Sequence, residues 1–217
     1  MHTSFKLSLT AAWIFGIAAI AACSSTTVSK VTDSADGSAT DGGTPAEDGS
    51  AEEDSATPLP AKPFELTSTA LTEGATFAKD NTCTGADEQP DLTWGPGPEG
   101  TKSYAIVFND KTINFVHGVT YDIPPTLTAL PAAVENEYLP KNAPGAKQTL
   151  SFRTGLYGYA GPCAPKPRED VYEFILYALD VETLPSMTKT STRDEAAAEV
   201  KKHVLKTVKL TGKYKQI

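Results

Sequence analysis

Few side chains in this sequence could perform acid–base or nucleophilic chemistry. The 217 residues include three histidines, and only His117 and His203 lie beyond residue 23. The chain has no G-x-S-x-G, H-E-x-x-H or C-x-x-C motif and no glycine-rich phosphate loop, the patterns that place a nucleophile, a metal or a phosphate. The sequence therefore predicts neither an enzyme nor a bound metal or cofactor.

The first of the three cysteines follows a segment typical of an export signal. Residues 1–22 carry one lysine near the start and then a short apolar run that ends in Ala21-Ala22-Cys23. This ending resembles the lipobox of bacterial lipoproteins, in which the cysteine receives a diacylglycerol. We expect a signal peptide over 1–22, lipidation of Cys23 and attachment to a membrane of the bacterial cell envelope. An ordinary secretory signal is the alternative, whereas a membrane span is disfavoured because the apolar run is short.

The other two cysteines, Cys83 and Cys163, predict a disulfide. If the chain is exported and Cys23 is lipidated, they remain as an even pair in an oxidising compartment. Such a pair is more often bridged than reactive or metal-binding. The bridge would join two segments that lie far apart in the sequence.

The composition changes abruptly after Cys23. Between residues 24 and 63 there are eight acidic residues, two lysines and no aromatic residue. Such a segment buries too little apolar surface to offset the entropy of ordering, and its like charges keep it extended. We expect residues 23–63 to be a disordered acidic tether. A calcium-binding tract is the alternative, but the segment lacks the D-x-D-x-D-G ligand spacing.

Residues 64–217 predict one mainly β domain. Runs rich in aromatic and β-branched residues indicate strands at 102–110, 114–122 and 172–181, with shorter candidates at 64–68, 92–94, 148–152 and 206–214. The run 172–181 is apolar on both faces, which is typical of a strand covered on two sides. One helix is predicted at about 192–205, because Thr192 and Glu195 have the spacing of a capping box before an alanine-rich run.

Six short segments occur in an order that resembles a known family. They are residues 83–85, 92–94, 99–110, 116–124, 158–163 and 172–180. Together they resemble the phosphatidylethanolamine-binding protein family, also called Raf-kinase-inhibitor-like proteins, in its bacterial YbhB/YbcL-type branch. The resemblance covers residues 64–214. It implies a β-sandwich with a large central antiparallel sheet, a smaller flanking sheet and a helix near the C-terminus.

The resemblance also implies a small pocket that accepts anions, without catalytic activity. Some members of the family bind phospholipid headgroups weakly, and some inhibit kinases or proteases. The pocket positions of the family fall on six residues of this chain: Asp110, His117, Gly161, Pro162, Asp170 and Tyr172. The chain departs from the family at two of these places. Lys111-Thr112 follows Asp110 where the family has Pro-Asp, and Asp170 stands where it has a histidine.

Asp170 alters the chemistry expected of this pocket. An anion bound there would meet the carboxylates of both Asp110 and Asp170, a repulsion worth on the order of 1–4 kcal/mol at a few ångströms. We therefore expect weak anion binding. A neutral or cationic ligand, a vestigial pocket, and a structural hydrogen bond between Asp170 and His117 remain open. The aromatic surroundings of His117 on its strand also suit an ordinary core histidine.

Two functions from different classes follow from the sequence. The first is a small-ligand binding module on the cell envelope, taking a small molecule or a phospholipid headgroup. The second is a protein-interaction or inhibitor module that contacts a protein partner through the loops around the pocket. A weak hydrolase using His117 with Asp170 ranks third. The formal net charge of −8 and the lack of a Lys/Arg cluster predict that nucleic acid is not a partner.

Overall fold

The computed structural model describes residues 62–153 and 155–216. The predicted signal peptide, the lipidation site Cys23 and the tether up to residue 61 lie outside the described residues. Within the described part, no helix has both the length and the apolar character needed to cross a membrane.

The described part contains nine strands and one α-helix. The strands are β1 Leu66–Thr67, β2 Ala75–Thr76, β3 Leu92–Trp94, β4 Ser103–Asp110, β5 Phe115–Ile123, β6 Ala129–Leu130, β7 Lys147–Gln148, β8 Glu169–Leu179 and β9 Val204–Lys215. The helix α1 spans Arg193–Val200, and a 3₁₀ turn spans Lys79–Asn81. Each long predicted strand is present within a few residues of its expected bounds, whereas β2 and β6 were not predicted.

The strands form two sheets. The large sheet has the order β2-β9-β8-β4-β5-β7, and the small sheet has the order β1-β3-β6. Neighbouring strands are antiparallel, except that β2 runs parallel to β9. The predicted architecture, a mainly β domain with a large central sheet flanked by a smaller one, is therefore confirmed.

The central strand β8 is buried on both faces, as its sequence predicted. Phe174 and Leu176 belong to a core that also contains Leu92 and Trp94 of the small sheet. The alternate residues of β8 belong to a second core, which they share with α1. To this core β8 contributes Ile175, Tyr177 and Leu179, and α1 contributes Ala196, Ala197 and Val200. Because successive side chains of a strand point to opposite faces, one strand contributes to both cores.

The helix begins as predicted but ends earlier. Glu195 N donates to Thr192 Oγ1 at 3.2 Å, and Thr192 N donates to Glu195 Oε2 at 2.8 Å, which completes the capping box. The predicted end at residue 205 is wrong, because Val204 already pairs with Leu179 as the first residue of β9. Alanine favours the helix locally, but the ladder with β8 determines where it stops. His203 consequently lies in the connecting turn, with Nδ1 at 3.3 Å from Asp180 Oδ1.

The predicted strand at 148–152 is also largely wrong. The ladder of β7 ends at Gln148, and the chain then turns. Ser151 Oγ accepts from Arg153 N at 3.1 Å, and Ser151 N donates to Leu156 O at 2.8 Å. Serine side chains that bond nearby backbone groups compete with strand pairing in this way. The turn matters for the site, because Phe152 lies within it.

A disulfide joins Cys83 and Cys163, as predicted. The S–S distance is 2.12 Å and the Cα–Cα distance is 5.4 Å. Cys83 N also donates to Pro162 O at 3.1 Å, so a backbone hydrogen bond accompanies the covalent link. The bridge ties the loop after the 3₁₀ turn to the segment that leads into β8, across a sequence separation of 80 residues.

Candidate functional site

A pocket of about 290 Å³ lies where β4 ends and where β5 and β8 begin. Its lining residues are Asp110, Ile113, Phe115, His117, Phe152, Cys163, Pro165, Arg168, Asp170 and Tyr172. The strand register brings the key positions together, because Asp110 is paired with Phe115 on one side and with Tyr172 on the other. Four of the six predicted site residues therefore line one cavity.

Asp110 is a buried carboxylate at the end of β4. The residue is 2 % exposed, and its Oδ1 accepts from Thr112 N at 2.9 Å and from Ile113 N at 3.3 Å. These two bonds use one oxygen, and no backbone group among the described residues donates to Oδ2. Burial raises the pKa of Asp110, and the negative charge of Asp170 raises it further.

His117 is buried as well, at 4 % exposure. Its Nδ1 lies 2.8 Å from Ala160 O, and because a carbonyl can only accept, Nδ1 carries the proton. Burial lowers the pKa of His117 to about 4, and the positive charges of Arg153 and Arg193 act in the same direction. The ring is therefore neutral at pH 7, and its Nε2 is a hydrogen-bond acceptor.

The histidine ring lies within an aromatic cluster. Its centroid is 4.6 Å from that of Phe152, 5.5 Å from that of Phe115 and 5.4 Å from that of Tyr172, all in edge-to-face geometry. Aromatic rings favour this arrangement because the positive edge of one meets the negative face of another. His117 thus combines the two interpretations that the sequence allowed: it is packed like a core histidine and also lines the pocket.

Asp170 is paired with an arginine and not with the histidine. The carboxylate is fully buried, Arg168 Nη2 donates to Oδ2 at 2.7 Å, and Arg168 Nε lies 2.5 Å from Oδ1. The structural hydrogen bond between Asp170 and His117 is absent from the described residues. Arg168 lies two positions before Asp170, the spacing at which extended residues share a face. That spacing was the one sequence signal for this pair.

Tyr172 has a phenol at the base of the pocket. Its hydroxyl accepts from Cys163 N at 3.3 Å. Burial raises the pKa of Tyr172 above its ordinary value, and the nearby negative charge of Asp110 raises it further. The phenol is therefore protonated at neutral pH, and its proton is directed to the Asp110 carboxylate.

Gly161 and Pro162, the remaining predicted site residues, do not line the pocket. Gly161 N donates to Asp87 Oδ1 at 2.8 Å, and a Cβ at this position would lie 2.4 Å from Asn81 O. Glycine is therefore needed for the close approach of two backbone segments. The next residue in the chain, Cys163, does line the pocket.

Phe152 and Arg168 are pocket residues that sequence reasoning did not assign. Phe152 is brought to the pocket by the turn after β7, and nothing in the local sequence indicates this. Among the residues that the structure describes, no group of three or more His, Cys, Asp or Glu side chains is placed to hold a metal ion.

Comparisons with known proteins agree with this fold. A sequence profile described as "Phosphatidylethanolamine-binding protein" matches residues 67–215. A UPF0098 protein of Aquifex aeolicus is 32% identical over 159 residues, covering 70% of this chain and 89% of the relative. LppC of Mycobacterium tuberculosis, whose name marks it as a candidate lipoprotein, is 29% identical over 133 residues, covering 59% of this chain and 62% of LppC in strain H37Rv.

Solved structures show the same fold. The crystal structure of Escherichia coli YbcL, described as a new member of the mammalian PEBP family, superimposes with a TM-score of 0.65 at 27% identity. The superposition covers 71% of this chain and 99% of YbcL. The family predicted from six short segments is thus confirmed by a profile match across nearly the whole described domain. The chain belongs to the phosphatidylethanolamine-binding protein family.

Proposed function

We propose that this protein is a non-catalytic ligand-binding lipoprotein of the bacterial cell envelope. The observation that carries the proposal is the pocket itself, which gathers Asp110, His117, Asp170 and Tyr172 into one cavity of about 290 Å³. This volume is close to the lower end of the range typical of small-molecule sites. The ligand would be a small molecule or a headgroup-sized fragment.

The chemistry of the pocket wall supports binding over catalysis. Cys163 is in a disulfide, Tyr172 is protonated, and no serine or threonine is among the lining residues. His117 Nδ1 is held by a backbone carbonyl and not by a carboxylate, so the arrangement lacks the acid that orients a catalytic base. Asp170, the other member of the hydrolase alternative, is already bound by Arg168.

The pocket mouth allows a direct test of ligand binding. Ile113 lines the pocket and is 51% exposed, so Ile113→Trp should obstruct the entrance at little cost to folding. Leu139→Trp is the matched control, because Leu139 is 59% exposed and does not line this pocket. The purified chain would be titrated with phosphate, phosphorylethanolamine, ethanolamine and acetate while its melting temperature is recorded.

We expect at least one of these compounds to raise the melting temperature, since a ligand that binds only the folded state stabilises it. The rise should be lost in Ile113→Trp and kept in Leu139→Trp. If no compound raises the melting temperature, or if both variants respond like the parent, this pocket is not the binding site.

Envelope attachment is proposed from the features of residues 1–23 and from the similarity to LppC. Expression in a Gram-negative host followed by mass spectrometry of the N-terminal peptide should show a diacylglycerol on Cys23. The Cys23→Ser variant should no longer be found in the membrane fraction. A chain that stays soluble with an unmodified Cys23 would contradict this part of the proposal.

A second candidate function, protein binding through the pocket rim, is favoured by Ile113, a pocket-lining apolar side chain that is 51% exposed. A photo-crosslinking residue at position 113 would test it in intact cells. A defined adduct that is absent with the same residue at position 139 would support a protein partner.

A further inference from the structure

We propose that the pocket accepts an organic ammonium ion, with Asp110 as its counter-ion. This inference rests on the ligand-binding function proposed above and specifies the chemical class of the ligand. It follows from three separate observations: the pairing of the charges around the pocket, the hydrogen-bonding character of its wall, and its aromatic lining.

Asp110 is the lining charge that lacks an oppositely charged partner. The other lining carboxylate, Asp170, is bound by Arg168, and Arg153 outside the lining is bound by Asp87. Among the described residues, no Lys, Arg or His forms a salt bridge with Asp110. A buried carboxylate without an opposite charge nearby is unfavourable even when it accepts hydrogen bonds, and a bound cation would compensate it.

A further cation near the pocket, Arg193, is held outside it. Arg193 Nε donates to Val116 O at 2.5 Å, and the guanidinium lies 4.8 Å from the centroid of the Phe115 ring. Arg193 is not among the lining residues. It can therefore influence the pocket at a distance but does not neutralise Asp110 by contact.

The wall of the pocket offers acceptors where an ammonium has donors. His117 Nδ1 donates to Ala160, which leaves Nε2 as an acceptor, and Asp110 Oδ2 has no backbone donor. Two N–H groups of Arg168, on Nε and Nη2, are directed to Asp170, and the Tyr172 phenol is directed to Asp110. An anion would need the opposite arrangement, with N–H and O–H groups available to it.

The aromatic lining suits a cation with attached carbon. Phe115, Phe152 and Tyr172 surround His117 within 4.6 to 5.5 Å between ring centroids. Ring faces attract a nearby cation electrostatically, and this attraction is strongest in desolvated sites. A carboxylate combined with several aromatic rings is an arrangement that recognises ammonium groups through both charge and apolar contact.

Calorimetric titration of the full chain at pH 7.5 tests this assignment, with methylammonium chloride and sodium phosphate as probes at matched ionic strength. We expect methylammonium to bind more tightly than phosphate. Asp110→Asn should weaken methylammonium roughly tenfold or more, because one charge-assisted hydrogen bond is lost. The amide keeps an Oδ1 for the turn with Thr112, so folding should be preserved. Asp180→Asn is the matched control, with a side chain that is 53% exposed and remote from the lining.

The outcomes separate this inference from the proposed function. Binding of phosphate but not of methylammonium would overturn the ammonium assignment and leave the pocket as a ligand site. Equal binding of methylammonium by the parent and by Asp110→Asn would also overturn it. Binding of neither probe, together with no response in the melting assay above, would overturn both.

Discussion

Removing the disulfide is expected to destabilise the domain strongly, and the size of the effect follows from the loop that the bridge closes. Cys83 and Cys163 are separated by 80 positions. Closing a loop of this length in the unfolded chain lowers its entropy by an amount worth roughly 4 kcal/mol. For a domain of about 150 residues, this corresponds to a decrease in melting temperature of roughly 10–15 °C.

The assay is urea denaturation of two matched chains. The reference carries Cys23→Ser, which removes the third thiol, and the test chain carries Cys83→Ser and Cys163→Ser in addition. The difference between the two chains in extrapolated free energy of unfolding is the contribution of the disulfide to stability. Because Cys163 lines the pocket, the test chain should also bind ligand more weakly at temperatures where it is still folded.

A difference of less than about 1 kcal/mol would refute the loop-entropy reasoning. It would mean that the two loops stay close without the covalent bond, even in the unfolded ensemble. In the folded state they are also joined by the bond from Cys83 N to Pro162 O and by the bond from Gly161 N to Asp87. Comparison of urea m-values would show this directly, because residual compactness lowers the slope.

Three further predictions concern the residues around the pocket. Burial lowers the folded-state pKa of His117 from 6.5 to about 4. The shift contributes roughly 3 kcal/mol to the free energy of unfolding above pH 6.5, and this contribution is lost as the pH falls towards 4. A His117→Gln variant should flatten this part of the stability–pH curve, and an unchanged curve would contradict the assignment. Because the pKa of Asp110 is raised, its contribution to the free energy of unfolding is present below pH 3.8 and is lost as the pH rises through the folded-state pKa. Asp110→Asn should therefore melt no lower than the parent at pH 7. A clearly lower melting temperature would show that the carboxylate has a stabilising partner. Gly118→Ala should cost about 1–3 kcal/mol, because the new Cβ would lie 2.1 Å from the backbone oxygen of Gly158. Urea denaturation of the parent and the variant measures this cost, and a variant as stable as the parent would argue against the clash.

Much of the fold could be predicted because it depends on local pattern. The long strands β4, β5 and β8 are runs of aromatic and β-branched residues, and the start of α1 depends on contacts between Thr192 and Glu195, three positions apart. The pairing of the cysteines needed only their number and the expected compartment. The family resemblance placed Asp110, His117, Asp170 and Tyr172 in one site, and the register of β4 with β5 and β8 brings them together.

The chemical state of the site could not be predicted in the same way. The sequence placed two carboxylates and a histidine near one another and left open whether Asp170 would bond to His117. In the structure Asp170 is bound by Arg168, and His117 is turned towards Ala160 O by a loop 43 positions away in the chain. The pKa of the histidine depends on burial, to which Phe152 contributes from the turn that follows β7, a segment distant from His117 in the sequence.

The sequence by itself therefore determined the long strands, the start of the helix and four of the residues that line the site. Contacts within about four residues, alternation along a strand and the presence of a capping box are properties of the local chain. Only the tertiary structure decided where α1 ends, which partner each charged group has, and which protonation state each buried group adopts. These depend on segments distant in sequence, because burial and the pairing of charges arise from packing between them.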